Sequence, residues 1–148
     1  MRRMPILIGA LALASIAHAA EDPIAVRQVL MDNNGAAAAL AGAVMKDQVA
    51  YRPVIGKAAI QAVSATAEAY GDFFPEGSVD AARSAAAPAI WENPAGFQEE
   101  LAKFRAATVA AREAAGKEGP ADKAAFVAAV QPIMQSCKTC HEGFRLKK

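Results

Sequence analysis

FVAAVQPIMQSCKTCHEGF, residues 126–144, places apolar or soft side chains at Phe126, Val130, Ile133, Cys137, Cys140 and Phe144. Alternating steps of four and three trace one face of an α-helix, so the stretch reads as an amphipathic helix with a single buried stripe. That stripe runs through Cys137-Lys138-Thr139-Cys140-His141, and C-x-x-C-H is the attachment signature of a c-type haem. On a helix Cys137 and His141 stand one turn apart on the same face, so a porphyrin tethered through sulfur is brought against an imidazole able to ligate its iron. Pro132 lies inside the pattern and removes one backbone hydrogen bond, which predicts a kink or short break near Ala128-Ala129.

Three other readings of the cysteine pair fare worse. The chain has two Cys and two His, and His18 lies in a removable leader, leaving three soft ligands where structural zinc takes four. A redox dithiol of the thioredoxin kind belongs beside a βαβ pattern, and none is visible. A plain structural pair in a secreted helical domain leaves the adjacent histidine without a purpose.

The N-terminus supports export. Arg2 and Arg3 precede an apolar run from Ile6 to Ala17 that is too short to span a bilayer, and Ala17-His18-Ala19 has the small-x-small pattern of a signal-peptidase site. Residues 1–19 are therefore read as a cleaved secretory signal and residues 20–148 as one domain in the periplasm, with no stable membrane insertion after cleavage. About 128 residues suffice for one core but not two. Loss of Arg2 and Arg3 takes the basic count from 16 to 14 against 15 acidic residues, a net charge of −1. That balance gives no reason to expect binding to nucleic acid or to an anionic membrane surface.

Alanine dominates this domain and Val, Ile and Thr are sparse, which favours helix almost throughout. A first helix is predicted from Asp22-Pro23 to about Lys46, with an acidic cap and proline in its first turn. Tyr51-Arg52-Pro53 and Gly56 mark a loop. A second helix runs from about Lys57 to Tyr70, with Ile60, Val63, Ala67 and Tyr70 on one face, and ends at Gly71 as a left-handed cap. Phe73 to Trp91 is irregular. Asn93-Pro94 opens a third helix bearing Phe97, Leu101, Phe104 and Thr108, which lasts to about Gly116. The fourth helix is the haem-bearing one. Four amphipathic helices with short connections make an all-α, antiparallel up-down four-helix bundle, and small alanine faces leave room for a planar group in the core.

A C-terminal C-x-x-C-H on the last of four helices resembles the class II c-type cytochromes, cytochrome c-prime and its low-spin relatives of the cytochrome c-556 type. The resemblance covers the whole domain. It rests most on Arg27-Gln28 with Met31, on Pro88-Ala89-Ile90-Trp91, and on Cys137 to Arg145. It implies one covalently bound haem c per chain, held by Cys137, Cys140 and His141. It further implies that Arg27 and Gln28 lie near the propionates, that Gly35 admits the haem edge, and that Met31 faces the distal side of the iron.

In the family that distal residue separates two behaviours. Where Met ligates, the iron is low-spin and suited to outer-sphere electron transfer; where it does not, the site is five-coordinate and admits nitric oxide or carbon monoxide. Leu30-Met31-Asp32-Asn33-Asn34-Gly35 looks closer to the low-spin branch, so His141 and Met31 are the expected metal ligands. The expected function is electron transfer with redox partner proteins, toward which Lys138, Lys147 and Lys148 can steer an acidic surface. Arg145, four residues beyond His141, is expected on the same helix face, and Trp91 is expected to be structural. No enzyme activity is expected, because a peroxidase needs a distal acid-base group and the domain's one histidine is already a ligand. Family members are often homodimers through their first two helices, and the alanine-rich faces permit that here.

Overall fold

The computed structural model describes residues 21–147; the proposed leader, its cleavage site and Lys148 lie outside the described residues. Four long helices, α1 (Pro23–Met45), α2 (Pro53–Ala69), α4 (Pro94–Ala115) and α5 (Lys123–Phe144), form the bundle, and a single turn, α3 (Ala89–Glu92), precedes α4. No strand occurs among the described residues; one isolated antiparallel bridge joins Ala86 to Arg145. Each long helix packs on the next, and α1 meets α5 to close the bundle.

Local chemistry explains most boundaries. Asp22 caps α1 by accepting from the Ile24 N–H at 3.0 Å, Asn93 caps α4 by accepting from Gly96 at 3.1 Å, and Asp122 caps α5 by accepting from Ala125 at 2.8 Å. Gly116 ends α4 at φ 58°, where a side chain would be strained. Two expectations need correction. First, α2 begins at Pro53, four residues before Lys57: the proline taken as loop punctuation sits at the first helical position, where its missing N–H costs nothing. Second, Gly71 is not a left-handed cap. The chain tightens through a 3₁₀ turn over Tyr70–Phe73 instead, and Gly71 is absent from the positive-φ glycines.

Of the kink or short break expected at Pro132, the break does not occur. α5 runs without a break from Lys123 to Phe144. Ala128, whose carbonyl has no N–H to accept from at Pro132, lies on the exposed side, where water can serve it.

The larger core joins Ala37, Ala41 and Val44 of α1, Ile60 and Val63 of α2, Phe104 and Ala111 of α4, and Phe126, Val130 and Ile133 of α5. One close approach lies where α2 begins. A Cβ on Gly56 would stand 2.9 Å from the Tyr51 hydroxyl and 3.0 Å from the Phe126 ring, so glycine is required there. Phe126 is fully buried and its ring centroid lies 5.5 Å from that of Tyr51. Phe126→Ala is expected to destabilise the domain by about 3–5 kcal/mol in a denaturant titration, since transfer and cavity terms add. A loss below about 1 kcal/mol would mean that α2 and α5 collapse onto the space.

Candidate haem site

At the end of the bundle away from Phe126, the helices part around a cavity of about 510 Å³. Its walls come from α1 (Met31, Asn34, Gly35), α4 (Phe97, Glu100, Leu101, Phe104) and α5 (Cys137, Cys140, His141), with Tyr70 and Phe74 from the connecting segment. The volume falls in the range of small-molecule and cofactor pockets. One end is roofed by aromatic rings. Phe74 meets Phe97 at 4.8 Å and Tyr70 at 5.0 Å, and Phe97 meets Phe144 at 5.4 Å, all edge to face.

The structure brings all six expected site residues to this one cavity, from opposite ends of the sequence. Cys137 and Cys140 are half-buried free thiols on α5. Burial raises both thiol pKa values, and that of Cys140 reaches about 11, with the nearby Glu100 carboxylate and Cys137 adding to the effect. Burial lowers the pKa of His141, and Arg145 lowers it further. Both effects favour the neutral imidazole, the form that can ligate a metal.

Arg145 itself is not on the helix face predicted for it. α5 ends at Phe144, and Arg145 is extended at φ −119°, ψ 135° beside Ala86. Backbone bonds from Ala87 to Phe144 (3.0 Å) and from Leu146 to Ala85 (2.8 Å) hold it there. Pairing with residues 85–87 overrides the helical period. Trp91 is structural: its indole N–H donates to the Pro75 carbonyl at 3.1 Å.

The arginine on α1 has an occupation that its position alone could not reveal. Arg27 is only 2% exposed. One terminal nitrogen donates to the Phe73 carbonyl (3.1 Å) and Ser78 Oγ (3.0 Å), and the other to the Ser78 carbonyl (2.7 Å) and Ser84 Oγ (3.4 Å). Its guanidinium carbon also lies 5.0 Å from the Phe74 ring centroid and 5.7 Å from that of Trp91. The fork that would clasp a carboxylate thus ties α1 to segment 73–84, and only Nε remains without a partner. Gln28 joins the same seam by donating to the Arg83 carbonyl.

Three lining residues escaped the sequence reading. Arg83, at the cavity wall, pairs with Asp22 across an exposed contact. Glu100 accepts from Thr139 Oγ1 at 2.7 Å and from Lys103 at 2.8 Å, so α4 grips the residue between the two cysteines. Those bonds, Lys103 foremost, lower the carboxyl pKa of Glu100. Asn34 is buried, with its Oδ1 unpartnered. No periodicity marks any of them: Arg83 and Glu100 are placed by partners on other elements, and Asn34 is marked by its burial.

Two observations test whether a haem suits this cavity. The buried polar atoms without partners among the described residues, Arg27 Nε and Asn34 Oδ1, both belong to residues that line it. A Cβ built on Gly35 meets nothing within 4 Å, so no neighbouring protein atom requires glycine at that point on the wall. The open space beside Gly35 and the mostly apolar lining with a few polar residues fit a large planar group with a polar edge.

The chain matches the family described as Cytochrome C' over residues 22–145. It is 38% identical over 122 residues to a cytochrome c-556 of Agrobacterium tumefaciens (strain II Chrys), covering 82% of this chain and 95% of that protein. The fold is similar to that of cytochrome c' from Rhodopseudomonas palustris, with a TM-score of 0.77, 29% identity, and coverage of 86% of this chain and 98% of that one. It is also similar to a structure of oxidized cytochrome c556 from R. palustris, with a TM-score of 0.71, 31% identity and the same coverage.

Proposed function

The chain belongs to the cytochrome c' family, and from that premise we propose that it is a periplasmic monohaem electron-transfer protein with His141 and Met31 as axial ligands. The observation that carries the reading is that Met31 on α1 and His141 on α5 line the same cavity, with both cysteines of the attachment motif beside the histidine. One covalently bound haem c belongs to the family and supplies one-electron iron chemistry when bound.

The chain's residues would do the rest. Cys137 and Cys140 anchor the porphyrin to α5 through two thioethers. Glu100, through Thr139, fixes the turn between them against α4. His141, whose pKa is lowered by desolvation and by Arg145, would supply a nitrogen to the iron, and Met31 on α1 a soft sulfur. Held from both sides by His141 and Met31, the group would gain or lose no ligand on changing oxidation state, which would suit it to one-electron transfer. Arg27, Gln28 and Arg83 line the cavity, and haem carboxylates would be received among them. The aromatic roof of Phe74, Phe97 and Phe144 limits water.

Among the described residues no helix is long and apolar enough to cross a membrane, and export through residues 1–19 is part of the proposal. So is delivery of the electron to redox partner proteins near the exposed end of α5. A homodimer through α1 and α2 is compatible with their exposed alanine faces. His141 is the one histidine among residues 21–147, which argues against peroxidase-type acid-base chemistry.

Absorption spectra test the ligand set. The ferric and ferrous protein is expected to be low-spin, with carbon monoxide binding slowly and weakly, and Met31→Ala is expected to convert it to a high-spin, carbon monoxide-reactive form. High-spin spectra in both oxidation states, unchanged in Met31→Ala, would establish instead the five-coordinate reading, a family member that binds nitric oxide or carbon monoxide.

A further inference from the structure

Asn34 is placed where a buried amide has no protein-only explanation. It follows Met31 by three residues on α1, so the two share a helix face. Its side chain is 9% exposed and lines the cavity. Nδ2 donates to Met31 Sδ at 3.9 Å, and Oδ1 accepts nothing. An aliphatic residue would fill the same volume without burying an unmade acceptor, which ordinarily costs stability. The preceding residue shows the contrast. Asn33 Nδ2 donates to the Ala62 carbonyl at 3.0 Å and to Thr66 Oγ1 at 3.1 Å, joining α1 to α2. Adjacent asparagines on one helix thus face different neighbours, and the second has only a sulfur.

We propose that Asn34 is a positioning residue for Met31, its amide orienting the thioether so that the sulfur presents a free lone pair to the cavity. The inference rests on the reading of Met31 as an axial ligand. A thioether sulfur carries two lone pairs; an N–H directed at one leaves the other for a metal. Methionine has three rotatable side-chain bonds and a weak intrinsic preference among its rotamers, so one directional contact shifts its population. Hydrogen bonds to a metal's ligands hold them in orientation in this way, and their loss costs tenfold or more in many sites. Asn34 needs no contact with the iron to act.

The test compares haem-loaded wild type with Asn34→Leu, Met31→Ala and the double variant. The readouts are the ferric sulfur-to-iron charge-transfer band and the rate of carbon monoxide binding to the ferrous protein. Asn34→Leu, nearly isosteric and free of the unpaired acceptor, is expected to weaken the band and to speed carbon monoxide binding at least fivefold. In the Met31→Ala background the same substitution is expected to change that rate less than twofold, since the effect passes through the sulfur. Asn34→Ser, too short to reach the sulfur, is expected to follow Asn34→Leu and serves if the leucine variant does not fold. If Met31→Ala removes the band while both Asn34 variants leave band and rate unchanged, the positioning role is overturned and the coordination of Met31 stands. An equal rate change with and without Met31 would also overturn it, assigning Asn34 to the gas itself. A wild-type spectrum untouched by Met31→Ala overturns the axial-ligand reading and this inference with it.

Discussion

Arg27→Met is expected to lower the thermal midpoint of the holoprotein by roughly 10 °C. Arg27 buries a cation whose hydrogen-bond acceptors are two carbonyls and two hydroxyls, with no carboxylate among them. Desolvation lowers its pKa, yet a guanidinium stays charged at any pH the fold survives. Opposing this cost are four charge-assisted hydrogen bonds and two aromatic faces, each bond to a charged group worth about 1.5–3 kcal/mol and each aromatic contact about 0.5–2 kcal/mol. Methionine recovers the desolvation term and some packing, so the net loss is set at about 2–4 kcal/mol.

The loss should be local before it is global. Phe73, Ser78 and Ser84 span a segment with little regular structure, and Arg27 is the side chain that gathers them onto α1. Amide exchange in residues 73–88 is therefore expected to accelerate more than exchange in α4. A midpoint shift below about 3 °C, or acceleration spread evenly over all helices, would show that the segment is held by its aromatic contacts and not by the guanidinium.

Arg27 also shows where sequence reasoning reached its limit. The motif, the four amphipathic stripes and the caps at Asp22 and Asn93 are local patterns, and local patterns fixed α1, α4 and most of α5 to within a residue or two. Proline 53 misled because its effect depends on direction: a helix breaker downstream is a helix starter at the first position. Glycine 71 misled because a glycine after a periodic run resembles a cap, whereas the chain continued into a tighter turn so that Tyr70 and Phe74 could meet. Arg27 was located on the right face, but its partners lie 46 to 57 residues away in a segment with no readable period. Glu100 and Arg83 were invisible for the same reason, and Asn34 because its burial, not its three-residue spacing from Met31, is what marks it. A site built across helices becomes legible from sequence only where a motif such as Cys137-Lys138-Thr139-Cys140-His141 compresses its chemistry into one turn.

Removing both thiols of that turn should have the largest effect of all. In Cys137→Ala/Cys140→Ala no haem-stained band is expected after denaturing electrophoresis, whereas either single variant should retain some stain through its remaining thioether. The consequence for the fold follows from the cavity. An enclosed, dry cavity of about 510 Å³ at ~24 cal/mol per Å³ would cost ~12 kcal/mol, an upper bound here because the space opens to solvent. Walls that relax or admit water reduce that figure, but relaxation has a structural price: α1, α4 and α5 must leave the spacing that the larger core around Phe126 sets for them. The double variant is therefore expected to keep much of its helical far-ultraviolet dichroism and to lose near-ultraviolet dichroism and cooperative unfolding. The first part rests on alanine's helix propensity, which needs no cofactor. The second rests on Phe74, Phe97, Phe104 and Leu101, which line the cavity and lose the packing that the group would add to them. A haem-stained band surviving the double substitution would refute attachment at this turn. Cooperative unfolding at the wild-type midpoint in the stain-free variant would show that the four helices specify the bundle without the group they enclose.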